Sequence, residues 1–162
     1  MDLVNKSKYN IILGSGSSRR KELLGMTGIN FSVMSIPVDE SFPDSLQGEE
    51  ISEYIVKNKS DAFNKLIKEN EIIITADTLV WFENRCLGKP KDKKEAKYML
   101  KLFAGKSHDV ITSVGFLTTS NFKILTESTT VIYKSLTDSE IDYYVENVNP
   151  CLLYTSPSPR DS

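Results

Sequence analysis

An α/β fold, a mixed sheet flanked by helices, is the class this sequence predicts. Two observations carry it. Short apolar or β-branched runs at 10–13, 31–36, 72–76, 79–82, 110–117 and 125–133 have the length and composition of strands. Between most of them lie stretches whose apolar residues recur at helical spacing, so strands and helices alternate along the chain.

Taken in order, residues 10–13 (Asn-Ile-Ile-Leu) read as a buried strand running into the small-residue turn Gly14-Ser15-Gly16-Ser17-Ser18. A helix is expected from about 19 to 27, with Ser17 or Ser18 as N-cap and Gly28 as its stop. Residues 31–36 follow as a strand. Ile51, Tyr54, Ile55, Ala62, Phe63 and Leu66 share one helical face, which predicts a long amphipathic helix. The apolar run 72–76 is a second buried strand, and 79–82 continues it after the polar interruption Asp77-Thr78. Pro90 and Asp92 open another helix; Asp92 and Glu95 form a capping-box-like pair, with Ala96, Met99, Leu100 and Phe103 as the buried face. Two longer strands are expected at 110–117 and 125–133. Thr137 and Glu140 then cap a last helix carrying Ile141, Tyr144 and Val145.

Composition narrows the function. The 162 residues suit one domain, 40% hydrophobic and 26% charged. Net charge is -2, from 20 basic and 22 acidic residues, which argues against a protein that coats a nucleic-acid polymer. There is no apolar run of about 18 residues to span a membrane, and the N-terminus lacks the pattern of a signal peptide. Cys86 and Cys151 have no metal-binding spacing. A cytoplasmic protein is expected. Residues 1–150 are read as the folded domain. Eleven of the last twelve residues, Cys-Leu-Leu-Tyr-Thr-Ser-Pro-Ser-Pro-Arg-Asp, match one reading frame of a transposase-type sequencing adapter, so 151–162 are taken as a non-native scar on a domain incomplete at its C-terminus.

Three segments bear chemistry. The turn at Ser15 to Ser18 between strand and helix lets backbone N–H groups face an anion at a helix N-terminus. Arg19 and Arg20 add charge there, against the helix dipole, which calls for something anionic nearby. A P-loop would need Gly-Lys-Ser/Thr at this position, and a dinucleotide fingerprint would need a third glycine where Arg19 sits. In the second segment, Asp77 closes an apolar strand, a costly place for a carboxylate without a metal or base role; ligands in open α/β sheets gather at such strand ends. The third comprises Glu40 after a strand, Lys59 on the long helix and Lys89 in Leu87-Gly88-Lys89-Pro90. These supply the carboxylates and cations that a metal-bound triphosphate requires, although each lysine alone reads as ordinary solvated surface. His108, the only histidine, reads as structural.

In this order and spacing, the segments resemble the Maf family of nucleotide pyrophosphatases. Ser15-Gly16-Ser17-Ser18-Arg19-Arg20, Val38-Asp39-Glu40, Lys59, Ala76-Asp77-Thr78-Leu79-Val80, Leu87-Gly88-Lys89-Pro90 and Gly105-Lys106-Ser107-His108 carry the likeness, which extends over about residues 10–150. The resemblance implies a Maf/ITPase-like fold with two lobes around a nucleotide cleft, often paired as a homodimer. It also implies a site in which Ser15, Ser17, Arg19, Arg20, Lys59, Thr78 and Lys89 bind substrate, Asp77 is the general base, and Glu40 with Asp77 holds Mg²⁺ or Mn²⁺. Ser18-Arg19-Arg20 and Ala76-Asp77-Thr78 are similar to the subgroup acting on thymidine and uridine triphosphates. Ser18 and Ser113 depart from the family pattern, and the Lys-Ala-Gly-Ala-Tyr-Gly-Ile-Gln segment that continues family members after Pro150 is missing here. The rival expectation is a nucleotide-binding regulator of cell division or septation.

Overall fold

The computed structural model describes residues 9–147; the tail at 151–162 lies outside them. In chain order the elements are β1 (Asn10–Leu13), α1 (Ser18–Gly25), β2 (Phe31–Val33), α2 (Glu49–Asp61), β3 (Glu71–Phe82), β4 (Arg85–Leu87), α3 (Lys93–Phe103), β5 (Ser107–Leu117), β6 (Phe122–Ile132) and α4 (Asp138–Asn147). The sheet order is β2-β1-β3-β5-β6, with β4 paired to β3. β1 runs parallel to β2 and β3, while β4 is antiparallel to β3, so the sheet is mixed. No helix among the described residues is long and apolar enough to cross a membrane.

The described residues divide into two compact units, one of 9–77 with Thr112–Thr126, the other of Thr78–Ile111 with 127–147. In the first, Ile12, Phe63, Ile73 and Leu117 form a buried cluster joined by Ile36, Ile67 and Phe122. Two glycines are required by close approach. A Cβ on Gly14 would stand 2.9 Å from the Phe63 ring, and one on Gly115 would stand 2.7 Å from Val56 and 2.9 Å from Thr75 Oγ1.

The second unit packs Val80 and Phe82 of β3 against Ala96, Met99, Leu100 and Phe103 of α3 and Ile141 and Val145 of α4. Both helix starts are capped as expected. The Glu95 N–H donates to Asp92 Oδ1 at 2.8 Å, and Thr137 and Glu140 exchange reciprocal bonds of 2.9 and 3.1 Å. Beside this core His108 is buried and stacked on Phe103, ring centroids 4.2 Å apart, with Tyr133 at 5.6 Å.

Four expectations about elements change. β2 stops at Val33 instead of 36, because β1, its only strand partner among the described residues, ends opposite it at Leu13. α2 ends at Asp61, and Phe63 and Leu66 lie in the turns after it, where bonds such as Leu66 N–H to Phe63 O tighten the chain to a three-residue spacing. β3 is one strand from Glu71 to Phe82, so Asp77-Thr78 interrupts the composition but not the strand, and Asp77 is not at the strand's end. β4 was not foreseen; Glu83 and Asn84, both at positive φ (48° and 63°), make the two-residue turn that pairs Phe82 with Arg85.

Candidate active site

Parallel pairing in the first unit decides where polar groups can collect. β1 ends at Leu13, opposite Val33 of β2 and Ile74 of β3. The Gly14 N–H adds one further bond to Ile74 O at 2.7 Å, and the Met34 N–H donates to Leu13 O at 3.0 Å. Beyond these the neighbours diverge into loops while β3 continues. Asp77 therefore lies three residues past the last parallel pair, at the carboxyl end of the parallel strands although inside its own strand.

The loop after β1 holds itself in shape. The Ser17 N–H donates to Ser15 Oγ (3.1 Å) and the Arg20 N–H to Ser17 Oγ (3.2 Å), which makes Ser17 the N-cap of α1. The helix carries no acidic residue in its first turn. Successive helical residues point about 100° apart, and the arginines divide accordingly. Arg19 is exposed, 3.8 Å from Glu22, whereas Arg20 is half-buried. Burial pushes the Arg20 guanidinium below its ordinary value, and the charges of Asp77 and then Glu40 oppose that shift.

Lys59, in the last turn of α2, binds this cluster together. Its Nζ donates to Ala76 O at 3.0 Å and lies 3.7 Å from Asp77 Oδ1 and 3.8 Å from Glu40 Oε2, with its side chain only 16% exposed. The Asp77 carboxyl is buried, and Oδ2 has no hydrogen-bond partner among the described residues. Burial raises its affinity for a proton; Lys59 opposes this, Glu40 reinforces it, and Arg20 opposes it. A carboxyl so placed is a stronger base than a solvated one.

The structure thus brings Arg20, Glu40, Lys59 and Asp77 into one electrostatic group and leaves Arg19 outside it. Ser15 and Ser17 shape the loop through the bonds given above. Thr78, half-buried on β3, and Lys89, exposed after β4, belong to the second unit, and neither is without an interaction partner. Among the described residues no group of three or more His, Cys, Asp or Glu is placed to hold a metal ion, and Glu40 with Asp77 is a pair. Sequence reasoning missed the hydroxyl contacts that tie α2 to the sheet. Ser60 and Thr75 bond at 2.7 Å, and Ser52, Ser113, Thr126 and Glu53 form a chain with steps of 2.7, 2.8 and 2.7 Å. The available signal was Ser52 and Ser60, polar residues eight apart on an otherwise apolar helix face.

The family model described as "Maf-like protein" matches residues 10–152. A dTTP/UTP pyrophosphatase of Bacteroides thetaiotaomicron is 44% identical over 149 residues, covering 91% of this chain and 77% of that protein. A dTTP/UTP pyrophosphatase of Flavobacterium johnsoniae is 42% identical over 143 residues, covering 88% and 74%. Among solved structures, the Staphylococcus aureus Ham1 protein aligns with a TM-score of 0.54 at 12% identity over 80% of this chain and 72% of that one. That likeness concerns the fold alone.

Proposed function

The chain belongs to the Maf family, and from that premise we propose that it hydrolyses dTTP and UTP to the monophosphate and pyrophosphate. One observation supports this above the others: a buried carboxylate, Asp77, with one unpartnered oxygen, set against Lys59 and Glu40. A site that only bound nucleotide would gain little from a desolvated carboxylate facing a polyanion. A site that deprotonates water needs one. This weighs against the septation-regulator reading.

In the proposed reaction a water oxygen forms a bond to the α-phosphorus as the bridging bond to the β-phosphate breaks. The water proton passes to the Asp77 carboxylate, and the electron pair leaves with pyrophosphate. Lys59, Arg20 and the N–H groups of the Ser15–Ser17 loop face the charge that develops on the phosphates. The family resemblance adds Lys89 and Thr78 as further substrate contacts, and Arg19 as an outer one. The unpartnered Asp77 Oδ2, with the Glu40 carboxylate sharing the same lysine, fits a divalent cation, since Mg²⁺ is commonly held by one or two carboxylates plus substrate oxygens. Glu40 and Asp77 would hold Mg²⁺ or Mn²⁺. When bound, such an ion neutralises phosphate charge and polarises the scissile bond.

Pyrophosphate release measured across a panel of nucleoside triphosphates tests the reading, with dTTP and UTP expected to turn over fastest. Release of orthophosphate instead, or turnover indifferent to a chelator, would contradict it. We place the enzyme in the cytoplasm, where these nucleotides are made, and take a homodimer as the assembly to be tested by sedimentation.

A further inference from the structure

We propose that the buried hydroxyl pair Ser60–Thr75 is a positioning element that fixes the register of α2 on β3 and so holds Lys59 against Asp77. The proposal rests on the reading of Lys59 and Asp77 given above.

Side chains alternate along a strand, so Ile73, Thr75 and Asp77 share one face of β3. That face meets α2 and the turn after it in three steps. Ile73 packs with Phe63, Thr75 bonds Ser60 at 2.7 Å, and Asp77 lies 3.7 Å from Lys59. The helix therefore runs antiparallel to the strand. The first step is apolar, and such contacts tolerate sliding. The last is an ion pair too long for a hydrogen bond, with an ammonium on four rotatable methylenes. Of these three steps only the middle one is short and directional, and both of its hydroxyls are fully buried, so neither has water as an alternative partner; the Lys59 ammonium also donates to Ala76 O at 3.0 Å, but from the end of the same flexible stem. Lys59 directly precedes Ser60 and Asp77 stands two residues beyond Thr75, so a slip at the pair also displaces the charges. Besides the Lys59 bond to Ala76 O, the next buried hydroxyl bond from α2 is Ser52 to Ser113 at 2.7 Å, two turns earlier on the helix.

The test is the double variant Ser60→Ala/Thr75→Val, which replaces both partners with apolar groups of similar shape and leaves no orphaned hydroxyl. The expected thermal midpoint stays within a few degrees of wild type. The expected kcat for dTTP falls about tenfold while KM moves less than about threefold, the pattern of an interaction lost in the transition state. Thr75→Ser, which keeps the hydroxyl, should retain kcat within about twofold. Ser113→Ala removes the other buried link to α2 and should lower the midpoint while leaving kcat near wild type. Wild-type kcat in the double variant overturns the proposal, as does an equal loss of kcat in Ser113→Ala. If the double variant melts below the assay temperature, Thr75→Val against Thr75→Ser at a lower temperature gives the same comparison. Full activity in Asp77→Asn together with a tenfold fall in the double variant would sink the reading of Asp77 as base while the register role of Ser60 and Thr75 stands.

Discussion

Asp77 answers to two demands that pull in opposite directions. Catalysis requires a carboxylate kept out of water, while stability disfavours one, and burial raises its proton affinity above the ordinary value despite Lys59 and Arg20. Asp77→Asn removes the base and the desolvated charge together. Turnover should fall by about 10²- to 10⁴-fold, the usual worth of a general base, while the melting midpoint at neutral pH should equal or exceed that of wild type. A variant that melts well below wild type would show that the carboxylate is a net structural support. His108 makes a second residue-scale case, in the other unit. Both its ring nitrogens are buried without hydrogen-bond partners among the described residues, and burial lowers its pKa while Asp109 partly restores it. The unfolded chain therefore takes up a proton near pH 6.5 while the folded one resists. The stability this contributes is present above about pH 6.5 and is lost as pH falls toward the lower folded value. Thermal midpoints between pH 7 and 5.5 should drop more steeply for wild type than for His108→Phe, which keeps the stack on Phe103. Parallel slopes would contradict this account.

At the level of elements, periodicity and caps were legible because each is a local property. The face Ala96, Met99, Leu100, Phe103 and the Thr137–Glu140 box stand as the spacing implied. What failed depended on partners distant in sequence. Where β2 stops is set by β1, and β3 runs unbroken past Asp77 because strand continuity follows hydrogen bonding and not hydropathy. The Arg19–Arg20 pair was legible as charge but not as direction, since only the helix phase separates the outward arginine from the inward one. Ser60 and Thr75 passed unnoticed, because a hydroxyl inside an apolar pattern shows its use only when its partner is in view. The unforeseen β3–β4 hairpin offers a test of its own. Glu83 sits at φ 48°, where a side chain longer than Asn or Asp is strained. Its ion pair with Lys106, at 3.7 Å, is exposed and worth little. Glu83→Asn should raise the melting midpoint by a few degrees, since about 1 kcal/mol shifts a domain of this size by about 2–4 °C. An unchanged or lower midpoint would mean that the turn is not strained there.

For the whole molecule, charge sets how a triphosphate can bind. The chain carries a net charge of -2, so its overall field does not draw in a polyanion. The site does not reverse this by itself, because Lys59 and Arg20 are matched by Glu40 and Asp77, two charges against two. Nucleotide binding should therefore depend on a cation arriving with the substrate, since Mg²⁺ adds two positive charges where the protein's own sum to zero. A non-hydrolysable dTTP analogue plus Mg²⁺, at about a hundred times its Kd, should stabilise the fold by about 2.7 kcal/mol. At the conversion used above this is a rise of about 5–11 °C in the melting midpoint. The same analogue with a chelator should shift the midpoint by less than a degree or two, and Mg²⁺ without nucleotide should also shift it little, because two carboxylates already neutralised by Lys59 and Arg20 are a weak cation site. Equal stabilisation by the analogue with and without Mg²⁺ would show that the loop N–H groups and the cations bind the phosphates unaided, and that the carboxylate pair serves the reaction alone.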